Sequence, residues 1–197
     1  MRKLIVNEFL TLDGVMQAPG GEDEDRSGGF EKGGWQMQYL DDVARDAITA
    51  GMAEAGGFLL GRRTYEIFAA YWPNAPKEEA VIADPLNNLP KYVASTTLSD
   101  PLEWQNSTLL EGDVPEAVAA SKREPGKDLH VIGSGELVQT LMEHDLVDEY
   151  RLMINPIALG SGRRLFRERN ATNKLRLLDS KTTSTGVLIV SYEPTER

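Results

Sequence analysis

Three clusters in this sequence carry residue types suited to holding an anion. The first is Gly133-Ser134-Gly135 with Glu136 and Leu137. It lies between an apolar run ending at Ile132 and a stretch in which Leu137, Val138 and Leu141 share one helical face. Glycines on either side of a serine let the backbone approach a bound group with no Cβ in the way. The first amides of the following helix lack intrahelical partners and carry partial positive charge, so an anion, usually a phosphate, is favoured there. The second cluster, Gly61-Arg62-Arg63-Thr64-Tyr65-Glu66, puts two guanidinium groups at a strand end beside a helix start. The third is the hydroxyl run Ser95-Thr96-Thr97 after another apolar stretch. Each has a plainer use as well: bends that relieve crowding, solvated arginines, hydroxyls that cap turns.

The elements that must position these clusters follow from the apolar pattern. Residues 3–11 form a first strand, which ends at the turn signal Leu12-Asp13-Gly14. The glycine- and acid-rich segment 18–34 has no periodicity and reads as a loop, either solvated or a flap punctuated by Phe30 and Trp35. Met37, Leu40, Val43, Ala44, Ala47 and Ile48 recur at helical spacing over 36–52. Strands follow at 56–60, 90–95, 106–111 and 146–154, with helices after Gly61, over 114–122 and after Gly135. A second Gly-Ser-Gly turn, Gly160-Ser161-Gly162, precedes Arg163 and Arg164. Segments 175–182 and 186–192 close the chain as an antiparallel pair. Early strands that alternate with helices imply parallel crossovers, so the expected fold class is α/β with a mixed, mostly parallel sheet. In such folds ligands sit beyond the carboxyl ends of the strands, where all three clusters fall.

Composition narrows the function. A chain of 197 residues without cysteine, and with only His130 and His144 as imidazoles, gives no thiolate site and no expected metal. The net charge of −10 argues against nucleic acid or anionic membrane as partner. No run approaches the ~18 apolar residues of a membrane span, and the apolar start breaks at Glu8, so a cytoplasmic protein is expected. The dinucleotide fingerprint would need glycine at Val138, and a Walker loop would need Gly-Lys-Ser/Thr; both fail. The layout suits an extended ligand with several phosphates, gripped by separate strand ends.

Taken in order, Leu12-Asp13-Gly14, Gly33-Gly34-Trp35, the Gly61–Glu66 cluster, Tyr92-Val93-Ala94-Ser95 with Thr97-Leu98, Val131–Gly135 and Leu159–Phe166 are individually weak but jointly specific. Over nearly its whole length the chain resembles the dihydrofolate-reductase-like fold. In particular it is similar to the reductase domain found at the C-terminus of bifunctional riboflavin-biosynthesis deaminase-reductases. The resemblance implies a single stand-alone reductase domain over 1–197, without a zinc deaminase domain, with helices on both sheet faces and NADPH as cofactor. Cofactor phosphates are implied at Gly61, Arg62, Arg63 and Thr64. The adenosine 2′-phosphate is implied near Ser95, Thr96 and Thr97, and the pyrophosphate at Ile132, Gly133, Ser134, Gly135, Glu136 and Leu137. Asp13 is implied at the nicotinamide and substrate mouth, for orientation or proton delivery, with turn formation as its alternative. Trp35 and Tyr65 are candidate walls of the substrate pocket, with core packing as theirs.

In dihydrofolate reductases the bond matching Gly133–Ser134 is cis, which for a non-proline residue costs about 3–4 kcal/mol, and the same geometry here is an expectation to be tested. Asp41 and Asp42 are available for the pteridine-binding carboxylate of those enzymes, and Arg163 and Arg164 for a substrate phosphate or a subunit contact. The implied chemistry is hydride transfer to a small heterocyclic (pteridine- or pyrimidine-like) or carbonyl substrate. Dihydrofolate reduction, or reduction of the aminouracil ribose-phosphate intermediate of riboflavin synthesis, is the neighbouring alternative. A nucleotide-binding sensor without turnover is an alternative of another class. The resemblance also implies a homodimer, with 146–154 and its continuation as the expected contact.

Overall fold

The computed structural model describes residues 1–167 and 174–195. Its central strand, β1 (Leu4–Thr11), is covered on both faces, which is why its sequence shows no clean apolar–polar alternation. After β1 come α1 (Asp42–Glu54), β2 (Gly57–Gly61), α2 (Arg62–Tyr71), α3 (Ala80–Asn88), β3 (Lys91–Ala94) and β4 (Ser107–Leu109). The remaining elements are α4 (Val114–Arg123), β5 (Leu129–Ile132), α5 (Gly135–Glu143), β6 (Glu149–Asn155), β7 (Leu175–Thr182) and β8 (Leu188–Pro194). Eight strands form one sheet in the order β4-β3-β2-β5-β1-β6-β8-β7. The pairs from β4 to β6 are parallel, while β8 runs antiparallel to β6 and β7 antiparallel to β8.

Alternation along β2 separates two cores. Leu59 belongs to a cluster with Val118 of α4 and Leu137, Val138 and Leu141 of α5. Its neighbours Phe58 and Leu60 face the other way, against Tyr65 of α2 and Leu86 of α3. The helices therefore lie on both faces, as the α/β reading requires. No helix among the described residues is long and apolar enough to cross a membrane.

Three features of this layout were not evident from the sequence. The helix over 36–52 begins only at Asp42, because Asp41 accepts the Ala44 amide at 2.9 Å and so sets the start; Met37–Tyr39 is a separate 3₁₀ turn. An additional helix, α3, contains Pro85, whose ring removes one intrahelical donor, and is held by the burial of Ala83 and Leu86. In the segment 146–154, β6 lies between β1 and β8, and its Tyr150 and Leu152 are buried within the chain itself.

The end of α3 shows how a buried charge is accommodated. Lys91 is fully buried, and its ammonium donates to the carbonyls of Leu86 at 2.7 Å and Leu89 at 3.0 Å while lying 4.4 Å from the Trp104 ring centre. Burial draws its pKa down to about 8, so it remains mostly protonated at neutral pH. Cations belong at helix carboxyl ends. Replacing Lys91 by methionine is expected to strand those carbonyls and destabilise the fold by about 1–3 kcal/mol, read as a lower urea midpoint at unchanged slope.

Candidate functional site

Where β5 ends, the chain turns through Gly133 and Ser134, both left-handed at φ +59° and +65°, and enters α5. The Ser134 amide donates to Thr64 Oγ1 at 3.0 Å, and Ser134 Oγ accepts the Gly61 amide at 2.9 Å. Two strand-to-helix turns some seventy residues apart are thus stitched into one structure. These bonds account for a left-handed serine, a conformation that costs a non-glycine residue about 1–2 kcal/mol. The expected cis bond at Gly133–Ser134 is not found; the cis peptide among the described residues is Asp100–Pro101. Two consecutive positive φ angles reverse the chain at a trans bond instead.

Neither α2 nor α5 has a side-chain cap at its amino end. First-turn residues of both helices line the same cleft, and an uncapped helix start is where an anion is favoured. Ser95, Thr96 and Thr97 border it from the end of β3, with Ser95 Oγ accepting the amides of Thr97 at 3.1 Å and Leu98 at 3.0 Å. A cleft of about 1490 Å³ connects these pieces. Gly61, Arg62, Arg63, Thr64, Ser95, Thr96, Thr97, Ile132, Gly133, Ser134, Gly135, Glu136 and Leu137 all line it.

The guanidinium groups already face carboxylates. Arg62 pairs with Glu66 one helical turn on at 3.0 Å, and Arg63 lies 3.9 Å from Asp25. Asp25 comes from the loop after β1 and is bound more closely by Arg163. Partial burial opposes its ionisation, but hydrogen bonds from Ser27 and the Arg163 guanidinium hold its carboxyl below the usual range. Glu136 is likewise held low by Arg167, which donates to it at 2.5 Å. Loop residues from Ala18 to Asp25 border the cleft, and Phe30 and Trp35 anchor the loop by packing with Val15 and Ala18.

The other candidates lie elsewhere. Asp13 does not line the cleft. Its carboxylate accepts Thr11 Oγ1 at 2.6 Å and the amides of Leu159 at 3.1 Å and Gly160 at 2.8 Å, and these bonds, the Thr11 hydroxyl first, hold it far below the ordinary range. Trp35 is buried with its indole on the Gln17 carbonyl, and Tyr65 is buried with its hydroxyl accepting the Trp104 amide. Neither forms a wall of the cleft. Asp41 is spent on the α1 cap and on Ser184, and Asp42 does not reach the cleft. The neighbours Arg163 and Arg164 diverge: Arg163 lines the cleft, while Arg164 binds the Asp13 carbonyl at 2.8 Å.

A second lobe opens between α1 and the opposite sheet face. Arg45, Ile48 and Met52 of α1 border it, with Asn7 and Phe9 of β1 below. Arg151 bridges Glu149 at 2.7 Å and Glu54 at 2.6 Å. His130 Nδ1 accepts from Asn7 Nδ2 at 3.2 Å, while its Nε2 has no partner. Burial, and then the nearby Arg151 charge, lower the His130 pKa to about 4. Glu8 also lines the cleft. None of these residues stood among the sequence-based site candidates. Glu8 and Arg151 left a trace in the sequence all the same, each a charge inside an otherwise apolar strand.

The model of the family described as "RibD C-terminal domain" matches residues 2–189. The uncharacterized Bacillus subtilis (strain 168) protein YyaP is 28% identical over 194 residues, covering 97% of this chain and 94% of YyaP. YwjB of the same strain, also uncharacterized, is 31% identical over 123 residues, 62% of this chain and 65% of YwjB. Among solved structures, a candidate riboflavin biosynthesis protein from Shewanella sp. PV-4 superposes with a TM-score of 0.70 at 21% identity over 98% of this chain and 99% of its own. A pyrimidine reductase-like protein from Corynebacterium diphtheriae NCTC gives 0.64 at 11% identity, covering 100% of this chain and 93% of its own. At those identities the two structures speak for the fold alone.

Proposed function

This chain belongs to the RibD C-terminal domain family, and on that premise we propose that it is an NADPH-dependent reductase of a small heterocyclic or carbonyl substrate. The observation that carries the reading is the hydrogen-bonded junction of the Gly61–Thr64 and Gly133–Gly135 turns inside one cleft. The residues present fit a dinucleotide: two uncapped helix starts, half-exposed guanidinium groups whose carboxylate pairs can be exchanged, and a cleft of about 1490 Å³. Amides of Gly135 to Leu137 would take the pyrophosphate. Arg62 and Arg63 would fork onto phosphate oxygens, and Ser95 to Thr97 would border the 2′-phosphate.

When bound, the reduced nicotinamide supplies the hydride. The protein's part is alignment and exclusion of water. Phe9, Ile48 and Met52 give the second lobe apolar walls suited to a flat ring, with Asn7 and Arg151 as polar contacts to fix its orientation. The loop carrying Glu24 and Asp25 closes the cofactor side. Asp13, withheld from the cleft by its four bonding partners, clamps the turn after β1 to Leu159 and Gly160. Its replacement by asparagine should lower stability more than NADPH affinity.

The test is titration with NADPH and NADH, then cofactor oxidation across folate, pyrimidine and carbonyl panels. Substrate-dependent oxidation of NADPH supports the reductase. Tight binding without turnover favours a sensor. Dihydrofolate reduction is the less suited variant, because Asp41 and Asp42 are not in the cleft and Glu54 of α1 is bound to Arg151. We further infer a homodimer that uses β7 and β8, where Leu177, Leu178 and Leu188 are exposed. Light scattering that gives a monomer would end that inference.

A further inference from the structure

Glu8 breaks the rule that a buried carboxyl has a partner. It is 5% exposed, its Oε1 makes no hydrogen bond, and yet it borders the cleft. Alternation along β1 places it on the face of Val6 and Leu10, opposite Leu152 of β6. Those three residues, with Met16 and Leu137 of α5, belong to one apolar cluster. On its other side β1 loses its neighbour: the last rung to β5 joins Asn7 to Ile132, after which β5 turns away at Gly133. The carboxyl therefore stands at the opening between β1 and β5, on the sheet face of the Gly133–Leu137 turn.

Among the described residues no cation answers it there. Glu149 and Arg151 of β6 point to the opposite face and bind one another, and His130 of β5 points that way too. Glu136 of α5 is bound to Arg167, and Arg163, beside Met16, to Asp25. α4 presents Val118 and, one turn on, Lys122, whose ammonium is held by Asp148 and the Leu146 carbonyl; the remaining titratable side chains packed on this face are Tyr150 of β6 and Tyr192 of β8. Burial alone pushes the Glu8 carboxyl well above the ordinary range and so favours its protonated form. A buried polar group without a partner costs free energy, and a ligand in the cleft is what can satisfy it.

Resting on the nicotinamide reading above, we propose that Glu8 is the proton-holding acid of the cleft: neutral beside the reduced ring, ionised beside the oxidised one. The bound nucleotide would supply a hydride with both electrons of its C–H bond, and its ring would become positive. The Glu8 O–H bond then breaks, its electron pair stays on the carboxylate, and the proton passes to solvent water in the cleft, which gives one up to the heteroatom that received the electrons of the reduced double bond. One hydride and one proton are transferred, and the new cation and carboxylate stabilise each other where water is scarce.

The experiment needs no substrate. Wild-type protein is titrated with NADP⁺ and with NADPH in weakly buffered solution containing a pH indicator. Because both nucleotides carry the same phosphates, the difference between them isolates the ring. NADP⁺ should release about one proton more per site than NADPH, as linkage requires of a group that ionises on binding. Glu8→Gln should abolish that difference and weaken NADP⁺ at least tenfold while NADPH binding changes less than twofold; Glu8→Asp should retain the release. Failure of both nucleotides to bind the wild type overturns the nicotinamide reading and this proposal with it. Binding without a difference in proton release, or a difference that persists in Glu8→Gln, overturns the role of Glu8 alone. Should Glu8→Gln not fold, the wild-type proton count still decides.

Discussion

Replacing Arg62 and Arg63 together by alanine is expected to weaken NADPH binding by at least about a hundredfold, each lost charge-assisted contact costing roughly 1.5–3 kcal/mol. Both side chains are about half exposed, and their present partners are easily exchanged. The Arg62–Glu66 pair is an exposed pair within one helix, of the kind worth a few tenths of a kcal/mol. Asp25 is held mainly by Arg163, which leaves Arg63 free to turn toward a phosphate. The double variant should fold normally, because cations in the first turn of a helix oppose its dipole. Fluorescence titration with NADPH is the measurement. Unchanged affinity would place the phosphates elsewhere and remove the principal support for redox chemistry.

Acidification should reveal His130. Its folded-state pKa of about 4 lies below the ordinary 6.5, so the unfolded chain takes up a proton before the native protein does. Stability contributed by this residue is complete above pH 6.5 and is lost as pH falls toward 4, a change on the order of 3 kcal/mol. Asp25, Glu136 and Glu149, all held below their usual range, add acid sensitivity in the same direction. The discriminating quantity is therefore the difference between wild type and His130→Asn, which retains an acceptor for Asn7 Nδ2. Urea unfolding at pH 7 and pH 4.5 should show a shallower pH dependence in the variant. Equal slopes would mean that the imidazole is not desolvated as the structure has it.

How far the fold was legible depended on the kind of signal. Strands β1, β2, β3 and β5 announced themselves as apolar runs ending at glycine or hydroxyl turns, and all fall where expected within a residue or two. The start of α1 did not, because Met37 and Leu40 continue the helical spacing upstream of the true cap at Asp41. Helix α3 stayed hidden behind Pro85, whose local preference is overridden by packing on Leu86 and by the carbonyl contacts of Lys91.

Chain order alone determined the three turns at strand ends, because glycine, serine and arginine at those spacings express local backbone chemistry. That all three border one cleft, and that two share hydrogen bonds, was decided by the crossover order of the sheet, which sets β2 beside β5. Tertiary structure also chose among acids and among arginines. Asp13 is claimed by Gly160, 147 residues away, and leaves the cleft, while Glu8, five residues before it, remains there without a partner. Arg163 and Arg164 are adjacent yet bind Asp25 inside the cleft and Asp13 outside it. Whether a side chain is spent or available depends on partners brought together by folding, and periodicity along a strand or helix carries no record of them.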